Sequence, residues 1–278
     1  MTLRGFLPVF RAFRPIPRIG ILPALAPDAG FNIRHEDTSM QRFAVRSAVL
    51  IAVLFLAAPA SAQVVQSAQV GVGAVFPRGF DTRVPGDTLV ANVTNANPLA
   101  FGGMSEFTTA QINGEWNVTF GDRVEFGAGV GFQKRTVPSV YRDWLNEDRT
   151  EIVQALRLRV VPVTAVVRFL PFGRPHNVQP YVGGGFGIFN YRYSEVGQFM
   201  DTTDLSIFSE RYTVVGNAPG AVVLGGVRMP LGGDIYGLTM EYRYTIASGD
   251  TGGAANGFLG DKIDLSGGQL NFGFLVRF

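Results

Sequence analysis

The sequence predicts an all-β fold, an eight-stranded antiparallel up-and-down transmembrane β-barrel preceded by a cleaved signal peptide. Three observations carry this: an export leader at residues 40–62, an apolar/polar alternation of period two along most of residues 63–278, and charges on the face that the alternation sets opposite the apolar one. Of 278 residues, 46% are hydrophobic and 12% aromatic, too apolar for a disordered chain. The absence of cysteine excludes disulfides, thiol nucleophiles and Cys-based metal sites.

In chain order, the first feature is the leader. Arg42 and Arg46 precede an apolar run from Ala48 to Ala58, followed by Pro59 and Ala60-Ser61-Ala62. This is the order of a secretory signal peptide, and the run is well short of the ~20 residues a spanning helix needs. Residues 1–39 stand upstream of a complete leader and read as an extension outside the native protein, with Met40 as initiator. Residues 1–62 hold 7 Arg and 3 acids of the chain's 24 Lys+Arg and 22 Asp+Glu, so the mature part has 17 and 19 and is slightly acidic. That removes the cationic footprint a nucleic-acid partner would require.

Eight strands follow, at about 66–76, 107–120, 123–134, 153–169, 178–193, 213–229, 235–247 and 265–278. Alternation is clearest where Tyr236, Leu238, Met240, Tyr242, Tyr244 and Ile246 oppose Gly237, Thr239, Glu241, Arg243 and Thr245. It recurs with Ile112, Trp116, Val118 and Phe120, and again with Val124, Phe126, Ala128, Val130 and Phe132. At the C-terminus Leu270, Phe272, Phe274, Val276 and Phe278 share a face, with Leu275 as the exception. In the fourth strand Leu156 and Leu158 oppose the parity of Val161, Val163, Val167 and Phe169, which predicts a bulge near Val160 to Pro162. In the fifth, Val182, Phe186 and Ile188 compete with Tyr181, Phe189, Tyr191 and Tyr193 for the outward face, and the phase stays open.

The connections alternate in length. Gly121-Asp122 reads as a two-residue type II′ hairpin, and 170–177 and 230–234 are also short. Between them lie long links at 77–105, 136–152, 194–212 and 248–264. Short turns at one end and long loops at the other are the pattern of an antiparallel up-and-down barrel with both termini on the short side.

The less apolar face carries Glu115, Glu125, Arg157, Arg159, Arg168, Arg228, Glu241, Arg243 and Arg277, read as a charge network filling the barrel interior. If these face inward, the apolar face meets lipid, and closure follows because an open edge in hydrocarbon leaves backbone groups unpaired. Trp116, Phe120, Tyr181 and Tyr236 at the short-turn side, with Tyr191, Tyr193 and Tyr244 toward the loops, are expected to form two aromatic girdles.

Residues 66–278 resemble the small outer-membrane β-barrel family that includes OmpA-type and OmpW-type barrels. The residues concerned are Pro180 to Gly187, Gly226-Val227-Arg228, Glu241-Tyr242-Arg243-Tyr244, and the ending Leu270 to Phe278. The resemblance implies that Leu270, Phe272, Phe274, Val276 and Phe278 form a signal for the barrel assembly machinery. It also implies outer-membrane lipid and lipopolysaccharide as surroundings.

The chemical motifs are weak. Gly127 to Gly131 and Gly183 to Gly187 lie within strand patterns with no helix following, so they read as space for bulky neighbours and not as phosphate loops. His176 is the one histidine after residue 62 and falls in a short turn, away from any place for a Ser/His hydrolase at the loop end. Asp250, Asp261 and Asp264 lack the spacing of a calcium loop and read as a solvated acidic loop. Neither catalytic residues nor a cofactor or metal are expected. Two functions stay open: a structural or surface-interaction barrel, and a narrow channel or lateral conduit for small hydrophobic molecules. A lipid-modifying enzyme is remote. Tyr141, Trp144, Phe199 and Phe208 suit adhesion, capture of an extracellular ligand, or loop packing alike.

Overall fold

The computed structural model describes residues 64–201, 204–232 and 235–278. The leader, the extension and the domain boundaries at 39/40 and 62/63 lie outside them. Eight long strands form the barrel: β1 Val64–Pro77, β2 Thr109–Phe120, β3 Val124–Leu145, β4 Glu151–Phe169, β5 Gln179–Met200, β6 Ile207–Leu231, β7 Tyr236–Asp250 and β8 Gly267–Arg277. Each pairs antiparallel with its sequence neighbours, and β8 closes the ring on β1 from Ser67↔Arg277 to Pro77↔Gly267. Closure pairs every strand on both sides, as a lipid environment requires.

The exterior carries the apolar set. Val70, Val72, Ile112, Phe126, Val130, Phe132, Val163, Val167, Phe186, Ile188, Val223, Met240, Ile246 and Phe272 are all exposed. Val124 to Phe132 on β3 and Tyr236 to Ile246 on β7 have the 9–11-residue span of a tilted membrane strand. Against the apolar exterior stands an interior of buried Arg, Glu, Gln and Asn, so the protein is a transmembrane barrel that exposes its hydrophobic face to lipid.

Several expectations are corrected. β4 has no bulge near Val160 to Pro162: Val130↔Val163 and Gln133↔Val160 keep one register across Pro162, and Pro162 still pairs with Phe189 on β5. Gly131 stands where a Cβ would lie 3.0 Å from Pro162 Cγ, and its lack of a side chain leaves room for the ring. The phase of β5 is settled: Tyr181, Tyr191 and Tyr193 are at most 2% exposed and point inward, while Val182, Phe186 and Ile188 face out. Those three tyrosines therefore leave the girdles, which keep Trp116, Phe120 and Tyr236 toward the short turns and the half-buried Tyr244, on the outward face with Met240 and Tyr242, toward the loops. The first turn has three residues, Gly121-Asp122-Arg123, between the pair Phe120↔Val124, with Gly121 at φ +61°. Two of the expected long loops are ladder instead. β3 and β4 stay in one register to Val140↔Val153 and pair again, after an irregularity on β3, at Leu145↔Glu151, while β5 and β6 pair to Met200↔Ile207, so both hairpins rise beyond the lipid belt.

The other two links, 78–108 and 251–266, fold together at that end of the barrel. Helix α1, Thr88–Thr94, begins at Asp87, whose carboxylate accepts from the amides of Leu89 and Val90. This N-cap satisfies donors that a short helix otherwise leaves free. Arg83 holds the same carboxylate with two bonds of 2.8 and 2.9 Å and reaches the carbonyl of Asp264 at 2.8 Å. Asp264 in turn donates its amide to Asp87 at 2.7 Å and accepts from the amides of Val84 and Ser266. Leu89, Ile263 and Phe258 pack beside Tyr193, all at most 1% exposed, and form a plug across the loop end.

Candidate functional site

The lumen is the first candidate, and alternation places its side chains. Inward positions of β2, β3, β4, β6 and β7 supply Glu115, Glu125, Arg168, Arg228, Glu241 and Arg243. Arg168 contacts Glu115 at 2.5 Å, Glu241 at 2.9 Å and Glu125 at 3.5 Å, and donates to Asn117 at 2.9 Å. Arg228 takes Glu125 with two bonds of 2.8 and 2.9 Å. Arg243 joins Glu241 at 2.7 Å to Glu115 at 3.0 Å. Three guanidinium groups and three carboxylates thus balance inside the low-dielectric wall, where a lone charge would be expensive. The Tyr181 hydroxyl donates to Glu241 at 3.2 Å, and Arg168 and Arg228 stand 5.4 and 5.7 Å from its ring centroid. Arg277 also faces inward and donates to Gln179 at 2.9 Å.

Gly127 makes this knot possible. A Cβ there would stand 2.6 Å from Asn117 Oδ1 and 2.8 Å from Arg168 Nη1. Above the knot, the described residues line cavities of about 20 and 30 Å³. Each has room for little more than a water molecule.

Arg157 and Arg159 are not part of the network. β4 keeps its even residues inside throughout, so both arginines point outward, and inward places at that level go to Leu156, Leu158 and Val160. The cause is the plug: where Leu89, Met104 and Phe107 fill the barrel, the inner face of β4 becomes apolar. Arg159 lies between Lys134 on β3 and Arg192 on β5, with Arg157 one row further from the lipid belt. None of these four side chains makes a hydrogen bond or ion pair with the described residues. Unpaired like charges on adjacent strands are unfavourable without a counter-anion. Of the C-terminal set, Phe272, Phe274 and Phe278 are exposed on the lipid face, and Phe278 packs against Trp116 at 5.0 Å.

A second candidate is a cavity of about 300 Å³ at the loop end, among α1, the short strand Leu99–Ala100 and the β5–β6 hairpin. Sequence reasoning named its rings Tyr141, Phe199 and Phe208 but missed Glu195, Gln154 and Asn92. Glu195 is 4% exposed and accepts from Asn92 and from the Tyr193 hydroxyl, both at 2.7 Å. Burial pushes its carboxyl up from the usual carboxylate range, outweighing those two bonds. Asp264, read as solvated, is buried at 2% and holds the plug. The one sequence signal for the plug was Asp87 ahead of Leu89 and Val90, a helix start too short to show periodicity. His176 is exposed in the short turn, near Phe172. Among the described residues, no cluster of three or more His, Cys, Asp or Glu is placed to hold a metal.

No protein-family profile and no curated protein matches the chain. Solved structures similar to it include OprG from Pseudomonas aeruginosa, at 14% identity and TM-score 0.43, covering 77% of this chain and 95% of that one. Neisserial surface protein A shows 13% identity and TM-score 0.38, with 77% and 96% covered. Ail, the attachment invasion locus protein of Yersinia pestis, solved with the heparin analogue sucrose octasulfate, shows 11% identity and TM-score 0.37, with 77% and 99% covered.

Proposed function

We propose that this is a non-enzymatic integral protein of a bacterial outer membrane, with a structural or surface-interaction role and no conducting lumen. Both termini lie on the periplasmic side, and the plug and tall hairpins face the exterior. The observation that supports this best is the neutral knot of Arg168, Arg228 and Arg243 with Glu115, Glu125 and Glu241 across the lumen. Eight strands enclose a bore that side chains fill, and these fill it with paired groups. The barrel assembly machinery is the partner that inserts it, through the strand ending in Phe278. Lipopolysaccharide supplies the counter-anion for the outward row Lys134, Arg159 and Arg192 and for Arg157 in the next row, because its phosphates would stand at the rim of the belt.

Single-channel recording of the refolded protein tests the sealed lumen. Currents at the background of the empty bilayer are expected. Large, stable openings would favour the conduit reading in its place.

A further inference from the structure

We propose that the cavity of about 300 Å³ at the loop end binds a small organic cation with an apolar body, its ammonium held at Glu195 and its body against the Phe199, Phe208 and Tyr212 rings. The volume is in the range of small-molecule sites and an order of magnitude above the cavities inside the barrel. The walls divide by chemistry. Phe199 stacks on Phe208 at 5.9 Å and meets Tyr212 edge-on at 4.9 Å, giving an aromatic side. The polar part of the lining holds the buried side chains Glu195 and Gln154, 4% and 2% exposed.

Two acceptors there have no partner among the described residues. Both bonds to Glu195 fall on Oε1, so Oε2 accepts nothing. Gln154 spends its Nε2 on Tyr141 and the carbonyl of Gln198, which leaves its buried Oε1 unpaired. A buried acceptor without a donor is costly, which applies to Gln154 Oε1, and a ligand ammonium could satisfy it while pairing the unbonded oxygen of Glu195. The charge is of one sign, since no Lys or Arg lines the cavity. An anion is therefore disfavoured, and one carboxylate with amides is too few ligands for a divalent metal. Aromatic faces beside a carboxylate suit an alkyl- or arylammonium ion. Phe208 and Leu259, 38% and 62% exposed, mark an opening through which a longer apolar body would leave.

Trp144 provides the readout, because its indole donates to Asn97 at 3.1 Å and Asn97 lines the cavity. A Trp116→Phe background removes the other tryptophan signal, which comes from the lipid face. Phenethylammonium, phenethyl alcohol and phenylacetate would be titrated into this protein in neutral detergent, with calorimetry in parallel. Saturable binding of phenethylammonium is expected, at least about tenfold tighter than the alcohol, the worth of one charge-assisted hydrogen bond. Phenylacetate should not bind. Glu195→Gln should bring ammonium and alcohol to equal affinity, and Phe208→Ala should weaken the ammonium in a barrel whose folding is checked by heat-modifiable migration. Equal binding of ammonium and alcohol by the parent protein, no saturable signal, or indifference to both substitutions would overturn the proposal. Binding in detergent does not depend on conductance, so failure here and failure of the sealed-lumen reading are separate results.

Discussion

Glu125 and Arg228 show how unequal the members of the buried knot are. Arg228 has one carboxylate, Glu125, whereas Glu125 also receives Arg168 and the Thr119 hydroxyl. Glu125→Gln therefore strands a buried guanidinium, and truncating one partner of a desolvated pair costs about 3 to 5 kcal/mol. Adding Arg228→Met removes the stranded charge and should recover part of that loss. Urea unfolding in detergent would measure both, and a double variant no more stable than Glu125→Gln alone would refute the pairing.

Glu195 makes the opposite case, a carboxyl held by Asn92 and Tyr193 near Tyr141 and Tyr212 with no cation among its partners. Its folded value is raised above the ordinary 4.5. Between those two values the folded state binds more protons than the unfolded one. Its contribution to stability is then fully present below the unfolded value and is lost as pH rises through the folded one. Subtracting the pH profile of Glu195→Gln from that of the parent isolates this slope. The variant, whose amide oxygen still accepts both bonds, should be at least as stable as the parent at neutral pH. A parent that gains stability relative to the variant as pH rises would contradict the buried, unpaired carboxyl.

At the scale of the strand, Met240 on β7 is 44% exposed on the lipid face, while Thr136 on β3 faces outward beyond the belt beside Arg157. Met240→Arg should destabilise the liposome-inserted barrel by about 2 to 4 kcal/mol, and Thr136→Arg should cost little by the same mechanism. Equal costs would mean the belt is misplaced. Lys134, Arg159 and Arg192, adjacent across β3, β4 and β5, carry the companion prediction. Lipopolysaccharide should raise the unfolding midpoint of the parent and leave a variant with all three changed to Gln unmoved. A shift of equal size in both would remove the lipid-phosphate role.

These same strands explain what could be read from sequence. On β7 the inner residues Glu241 and Arg243 are charged and the outer Met240 and Tyr242 apolar, so period and phase were both legible. On β4 and β5 the period was legible but the phase was not. Leu156 and Val160 face a plug and Tyr181 faces two arginines, so the inside is as apolar or aromatic as the outside. Alternation reports two unlike faces, and only burial says which is in. The Glu195 cavity was illegible because Asn92, Gln154 and Glu195 come from three distant segments with no spacing to join them.

For the whole molecule, two seals stand in series along the axis: the Arg/Glu knot within the lipid belt, and the plug at the loop end. They are chemically independent, since the plug is tied by Arg83, Asp87 and Asp264, none of which touches the knot. Asp264→Ala removes the acceptor for the Val84 and Ser266 amides and for Arg78, 3.7 Å away. The segments 78–108 and 251–266 should then exchange amide protons and admit protease faster, while the urea midpoint of the barrel strands changes little. Conductance should stay at background, because the knot beneath is unaltered and its residual cavity of about 20 Å³ is no path for hydrated ions. Stable currents from Asp264→Ala alone would show that the plug is the gate and that the paired charges below it line a passage.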